Sequence, residues 1–149
     1  MTPPANEDRE LSVVIILRIF VPFGLGYFLS YFYRAVNAVI SEELTQDIGL
    51  TAADLGFLTS TYFLAFALFQ LPLGVLLDRY GPRRTEAALL IVAAAGAGLF
   101  SIADSVPVLT AGRAFIGLGV SACLMASFKA FVLWFPKERL PLANGIVMT

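Results

Sequence analysis

The chain is 149 residues long, 58% hydrophobic and only 14% charged, against about 25% charged in an average soluble domain. Its net charge of −1 excludes a basic nucleic-acid footprint, and without histidine and with a single cysteine it has neither a metal-ligand pattern nor an internal disulfide. A mean hydropathy of +0.82 is too apolar for a surface in water and places the chain in a bilayer.

The leader, residues 1–15, reads as a polar N-terminal tail. Its acids Glu7, Asp8 and Glu10 are unlike the positive start of a signal peptide, so the apolar run that follows is expected to stay as a first span. Crossing about 30 Å of hydrocarbon takes roughly 20 mostly apolar residues. Spans are predicted at about 16–40, 55–77, 85–103 and 108–135, with a fifth beginning near 142. Together 16–149 form one partial helical bundle, so the fold class is all-α and integral to the membrane.

Each break has a physical cause. Residues 41–54 are polar and include Gly49. Gly81 and Pro82 end one helix and start the next amid Asp78, Arg79, Arg83 and Arg84. Pro107 suits the first turn of the fourth span, and 135–141 form another charged, proline-interrupted turn.

Ionisable residues inside spans are costly and are functional candidates by default. In the first span Tyr27, Ser30, Tyr31, Arg34 and Asn37 follow helical spacing and share one face, with no acid anywhere on that helix. Such a stripe suits a bundle interior or a water-filled cavity; the other reading of Arg34 is an arginine reaching for the outer interface. Arg18 is read as reaching the headgroups from the opposite end. Lys129 either does the same or makes an inner anion contact. Gln70, with Thr59, Phe63 and Phe66, marks either another cavity face or a buried helix contact. Cys123 reads as a small packing residue, as do Gly96, Gly98 and Gly112.

The densest signal is Gly74-Val-Leu-Leu-Asp78-Arg79-Tyr-Gly81-Pro-Arg83-Arg84. It combines a helix-packing glycine, an acid at a helix end, a turn glycine and a basic cluster. It resembles the hairpin signature of the major facilitator superfamily of secondary transporters. Arg113-Ala-Phe-Ile-Gly117-Leu-Gly119 resembles the fourth-helix motif of that family. Residues 26–37 look like the first helix of the organophosphate/phosphate antiporters and related anion carriers.

The resemblance implies a transporter fold built of two six-helix halves. This chain covers an incomplete N-terminal half: four spans and the start of a fifth. It further implies that Gly74, Asp78, Arg79, Gly81, Arg83 and Arg84 form a gate that closes against the remaining helices. Arg113 is then a buried basic residue, the alternative being an interfacial anchor. Arg34 becomes an anion ligand in a cavity with Tyr27, Tyr31, Asn37, Gln70 and Lys129. The expected partners are the lipid bilayer, a small solute with an organic anion as candidate, and a coupling ion. Nothing in the chain suggests an enzyme, a cofactor or a metal. The alternative function is a truncated, non-transporting membrane protein that acts as an interaction or assembly element.

Orientation follows from the basic residues. Arg9, Arg79, Arg83, Arg84, Lys137 and Arg139 lie on one set of flanks, while 41–54 and 104–107 contain no Lys or Arg. Basic flanks stay in the cytoplasm, so this is a multi-pass cell-membrane protein with a cytoplasmic N-terminus. A cysteine placed at Thr51 is expected to react with an impermeant thiol reagent applied from outside, and one at Tyr80 is not. Reversed labelling would refute the orientation.

Overall fold

The computed structural model describes residues 16–135 and 137–148; the tail at 1–15 and the side chains of Ile16 and Asn37 fall outside that description. Among the described residues the regular structure is all helical, without strands. A π-helical turn, Ile16–Phe20, leads into α1 (Val21–Val39). A short polar helix, α2 (Ser41–Ile48), precedes α3 (Ala52–Tyr80) and α4 (Pro82–Ser101). The fourth span is divided into α5 (Val106–Val120) and α6 (Cys123–Trp134). A 3₁₀ turn, Lys137–Arg139, leads to α7 (Leu140–Met148). Four stretches are long and apolar enough to cross a membrane: Leu17–Val36, Ala52–Tyr80, Pro82–Ser101 and Val106–Trp134.

The helix ends follow local chemistry. α3 begins a turn before the apolar run because Thr51 caps it. Asp54 N–H donates to the Thr51 hydroxyl at 3.2 Å, and Thr51 N–H donates back to the Asp54 carboxylate at 2.9 Å. The polar stretch after the first span is itself helical, and Gly49 ends it in the left-handed region at φ 74°. Leu50 then packs with Leu58, Ala103 and Leu109, which ties this connection to the bundle. At the other end Gly81 takes φ 79°, where a side chain would be strained, and Pro82 opens α4. The Thr85 hydroxyl donates to the Leu76 carbonyl at 3.2 Å and closes this hairpin.

The fourth span is the hub. It is 61% buried, whereas none of the other three exceeds 28%. Small residues explain why. A Cβ added at Gly117 would collide with the backbone carbonyl of Tyr62 in α3. One added at Gly119 would come within 2.6 Å of the Ala93 Cβ and the Leu89 carbonyl in α4. Gly96 and Gly112 face each other across the same interface, each leaving room for the other's carbonyl. Lipid offers helices no hydrophobic drive to associate, so close backbone approach of this kind is what holds a membrane bundle together. Gly98 does not share this role, because a Cβ there would meet nothing among the described residues.

The break between α5 and α6 frees a carbonyl at Ser121. Gln70 of α3 donates its side-chain amide to that oxygen at 3.2 Å. A backbone acceptor left bare in hydrocarbon would cost several kcal/mol, so this contact stabilises the break. The first span rests mainly on α6. Phe20 stacks on Phe131 with ring centroids 5.5 Å apart, and Ser127 donates its hydroxyl to the Phe23 carbonyl at 3.3 Å.

Gly117→Ala in the whole protein is expected to lower stability by about 1–3 kcal/mol, the usual cost of overpacking. Gly98→Ala should stay within about 0.5 kcal/mol. Thermal unfolding of both variants in detergent checks this, and equal effects would refute the assignment of Gly117 as a contact glycine.

Candidate functional site

The polar groups of the bundle separate into two clusters. The first forms where α1, α3 and α5 meet. Arg34 projects from α1 over the ring of Phe66, with its guanidinium carbon 4.9 Å from the ring centroid and 6.0 Å from that of Tyr31. Its Nε is buried and has no hydrogen-bond partner among the described residues. The Tyr62 hydroxyl lies beside Arg34 and Ser30, and both Tyr62 and Ser30 are buried. Tyr62 stacks on Phe66, so one aromatic shelf carries the arginine and a phenol together.

Arg113 enters the same region from α5. It is only 2% exposed, which excludes an anchor at the headgroups. Its guanidinium lies 4.5 Å over the Phe100 ring, and Nη1 donates to the Tyr33 carbonyl at 3.4 Å, one residue before Arg34. Arg34 and Arg113 thus flank Tyr62 from two helices. Tyr31 remains 60% exposed and meets Tyr27 edge-on at 6.2 Å. The cluster is therefore closed toward α3 and α5 and open on one side.

The second cluster is the hairpin. Asp78 forms an ion pair with Lys129 of α6. That partner lies 51 residues away in sequence, although Arg83 and Arg84 are much nearer along the chain. Gln70, Leu73, Gly74, Leu77, Asp78, Met125 and Lys129 line a groove of about 320 Å³ here. Gly74 leaves that groove open, since a Cβ there would meet nothing among the described residues. Arg79 lies over its neighbour Tyr80, with 5.5 Å to the ring centroid.

The residues proposed for one cavity therefore divide. Tyr27, Tyr31 and Arg34 stay together. Gln70 serves the helix break, Lys129 serves the hairpin, and the Asn37 side chain is outside the described residues. Gly117 and Gly119 pack the helices that bring Arg113 into place. Two buried residues had no sequence signal. Tyr62 is one aromatic among many in α3. Glu86 follows Arg84 and Thr85 and looks like an ordinary acid in a helix's opening turns, yet it is buried against Gly26 of α1.

Residues 23–149 match the Major Facilitator Superfamily. The chain belongs to that superfamily. It is 28% identical over 122 residues to a probable sulfoacetate transporter, SauU, of Cupriavidus necator, covering 82% of this chain and 28% of that protein. It is 32% identical over 121 residues to the nitrate/nitrite transporter NrtP of Picosynechococcus, covering 81% and 22%. It is 28% identical over 146 residues to a probable galactarate/D-glucarate transporter, GudP, of Pseudomonas putida, covering 94% and 31%. The chain thus spans less than a third of each of these superfamily relatives. No solved structure matches it. With four apolar helices of spanning length, this superfamily member is a multi-pass membrane protein.

The Asp78–Lys129 pair is largely open to solvent on the Asp78 side, where side-chain exposure is 79%. Exposed pairs contribute about 0–1 kcal/mol, so stability alone is a poor reason for this one. In the whole superfamily protein, Asp78→Asn is expected to cost no more than about 1 kcal/mol in stability while lowering transport rate. Lys129→Gln should do the same, and the double variant should be no slower than the slower single one. Additive losses would show that the residues act apart.

Proposed function

We propose that this chain supplies the first four spans, and the start of a fifth, of a secondary carrier that moves a small organic anion by alternating access. The N-terminus and the Gly81 hairpin face the cytoplasm, where basic flanks are retained. The observation that carries this reading is the set of Arg34, Tyr62 and Arg113. Arg34 is half-buried with its Nε closed off and without a partner among the described residues, and a cation drawn from water is costly unless it is paired. Stacking on Phe66 returns only about 0.5–2 kcal/mol, and the first span holds no acid to supply the rest.

An anionic substrate supplies that missing charge. Guanidinium offers a planar fork that matches carboxylate, sulfonate and nitrate geometry. The Tyr62 and Tyr31 hydroxyls add neutral donors beside it. The names of the relatives point the same way: sulfoacetate, nitrate, nitrite, galactarate and glucarate are all anions.

The hairpin serves the cycle. An ion pair made in one conformation and broken in another biases the equilibrium between them. Asp78 and Lys129 form that pair, Gly81 makes the turn, and Gly74 leaves the groove open for another helix to settle. Arg79, Arg83 and Arg84 both hold the loop inside and offer charges to the half of the carrier that closes over it.

Arg34→Lys keeps the charge and loses the fork. In the whole carrier it is expected to weaken anion binding by about tenfold or more, the loss of one charge-assisted bond worth roughly 1.5–3 kcal/mol. Ligand-induced thermal stabilisation by sulfoacetate, glucarate and nitrate, wild type against variant, measures this. If none of them stabilises either protein, or each stabilises both equally, Arg34 is not the anion ligand.

A further inference from the structure

Glu86 lies outside both clusters and has no part in the mechanism above. It is 6% exposed, and its Oε1 has no hydrogen-bond partner among the described residues. The burial comes from spans already present, so further helices could only deepen it. Gly26 of α1 makes the space, because a Cβ there would collide with Glu86 Oε1 and stand 3.9 Å from the Cys123 sulfur. The carboxyl is therefore fitted into a seam between the first, third and fourth spans.

This seam has an outlet. A cavity of about 550 Å³ runs from Glu86 toward the hairpin end, walled by Arg18, Pro22 and Phe23 of the first span and by Arg83, Ala87 and Leu90 of α4. Glu86 is thus enclosed on its α1 side and borders, on the other, a cavity whose wall includes two guanidinium groups. The ionisable groups around it are Arg18 from the first span, Arg83 from its own helix and the Cys123 thiol from the fourth span. The second span meets this end of α4 through the Leu76 carbonyl and Thr85.

We propose that Glu86 is a proton-binding site, loaded while its carboxyl rests against Gly26 and unloaded when α1 and α4 separate. A carboxylate without a partner in a span is expensive; the neutral acid is not. When the contact opens, the O–H bond breaks, the proton passes to water in the cavity, and the carboxylate left behind pairs with Arg18 or Arg83. Loading reverses these steps. Proton occupancy is thereby tied to the seating of the helix that carries Arg34. The use of this proton in transport rests on the carrier reading above, whereas the site itself does not.

The test is infrared difference spectroscopy on the whole purified protein between acid and alkaline buffer. Wild type should show the carbonyl stretch of a buried carboxylic acid, lost as the pH rises. Glu86→Gln should lack it, and Arg34→Lys should keep it, which separates this site from the anion site. Glu86→Asp should retain a shifted band. Should Glu86→Gln not fold, the exposed pair Arg18→Gln and Arg83→Gln provides the second measurement. Without the receiving cations, the band should survive at a pH where wild type has lost it. Identical difference spectra for wild type and Glu86→Gln, or for wild type and the double arginine variant, would overturn the proposal.

Discussion

The arrangement depends on missing side chains along the fourth span. Gly117 lets the backbone of α3 come close at Tyr62, and Gly119 does the same for α4 at Ala93. The polar contacts that the fourth span makes with its neighbours depend on this approach. Arg113, four residues before Gly117, is carried into the interior by the same packing and reaches the Tyr33 carbonyl of the first span. Tyr62 is pressed toward Arg34 because its own backbone is the surface that Gly117 contacts. One set of absent Cβ atoms thus decides where the charges of three helices meet.

The break at Ser121 divides that hub into parts with different partners. α5 packs on α3 and α4 and carries Arg113, while α6 supports the first span and carries Lys129. Gln70 holds the freed carbonyl and α3 continues past it to Asp78. The second span is therefore fixed to the fourth at three levels: Tyr62 on Gly117, Gln70 on Ser121 and Asp78 on Lys129. The first two are contacts between neutral groups, the first buried and the second half-buried. The third is an ion pair near the surface, and it is the one a change in solvation can make or break.

Much of this was legible in the sequence because membranes impose strong rules. Length and hydropathy pointed to four spans, the number of helices long and apolar enough to cross a membrane, and Gly81-Pro82 marked the hairpin through backbone chemistry alone. The spacing of Tyr27, Ser30, Tyr31 and Arg34 announced a polar face. What escaped has a common cause: partners far apart in sequence. Lys129 lies 51 residues from Asp78, and nothing local pairs them in preference to the nearby arginines. Tyr62 could not be singled out because it is one aromatic among several in α3, and the hydroxyls of Thr59, Ser60 and Thr61 fall on successive sides of that helix and mark no single inner face. Glu86 has the local context of a solvated acid near a helix start. Only the position of Gly26 on another helix shows otherwise.

If Arg34 holds an anion as proposed above, the open side of its cluster fits how a carrier must use binding energy. A ligand shifts a conformational equilibrium only by the difference in its affinity for the two states. A site completed within one rigid bundle would bind equally in both and shift nothing. Here Arg34, Tyr62 and Arg113 belong to one bundle and fix the charge, while Tyr31 and Phe63 remain exposed beside them. An anion seated on this half still has unsatisfied faces. On that proposal a second group of helices would cover them from the open side, and its approach would be the conformational change. Under the proposed anion-carrier function, a half-built site is the form that would let a substrate's charge drive closure.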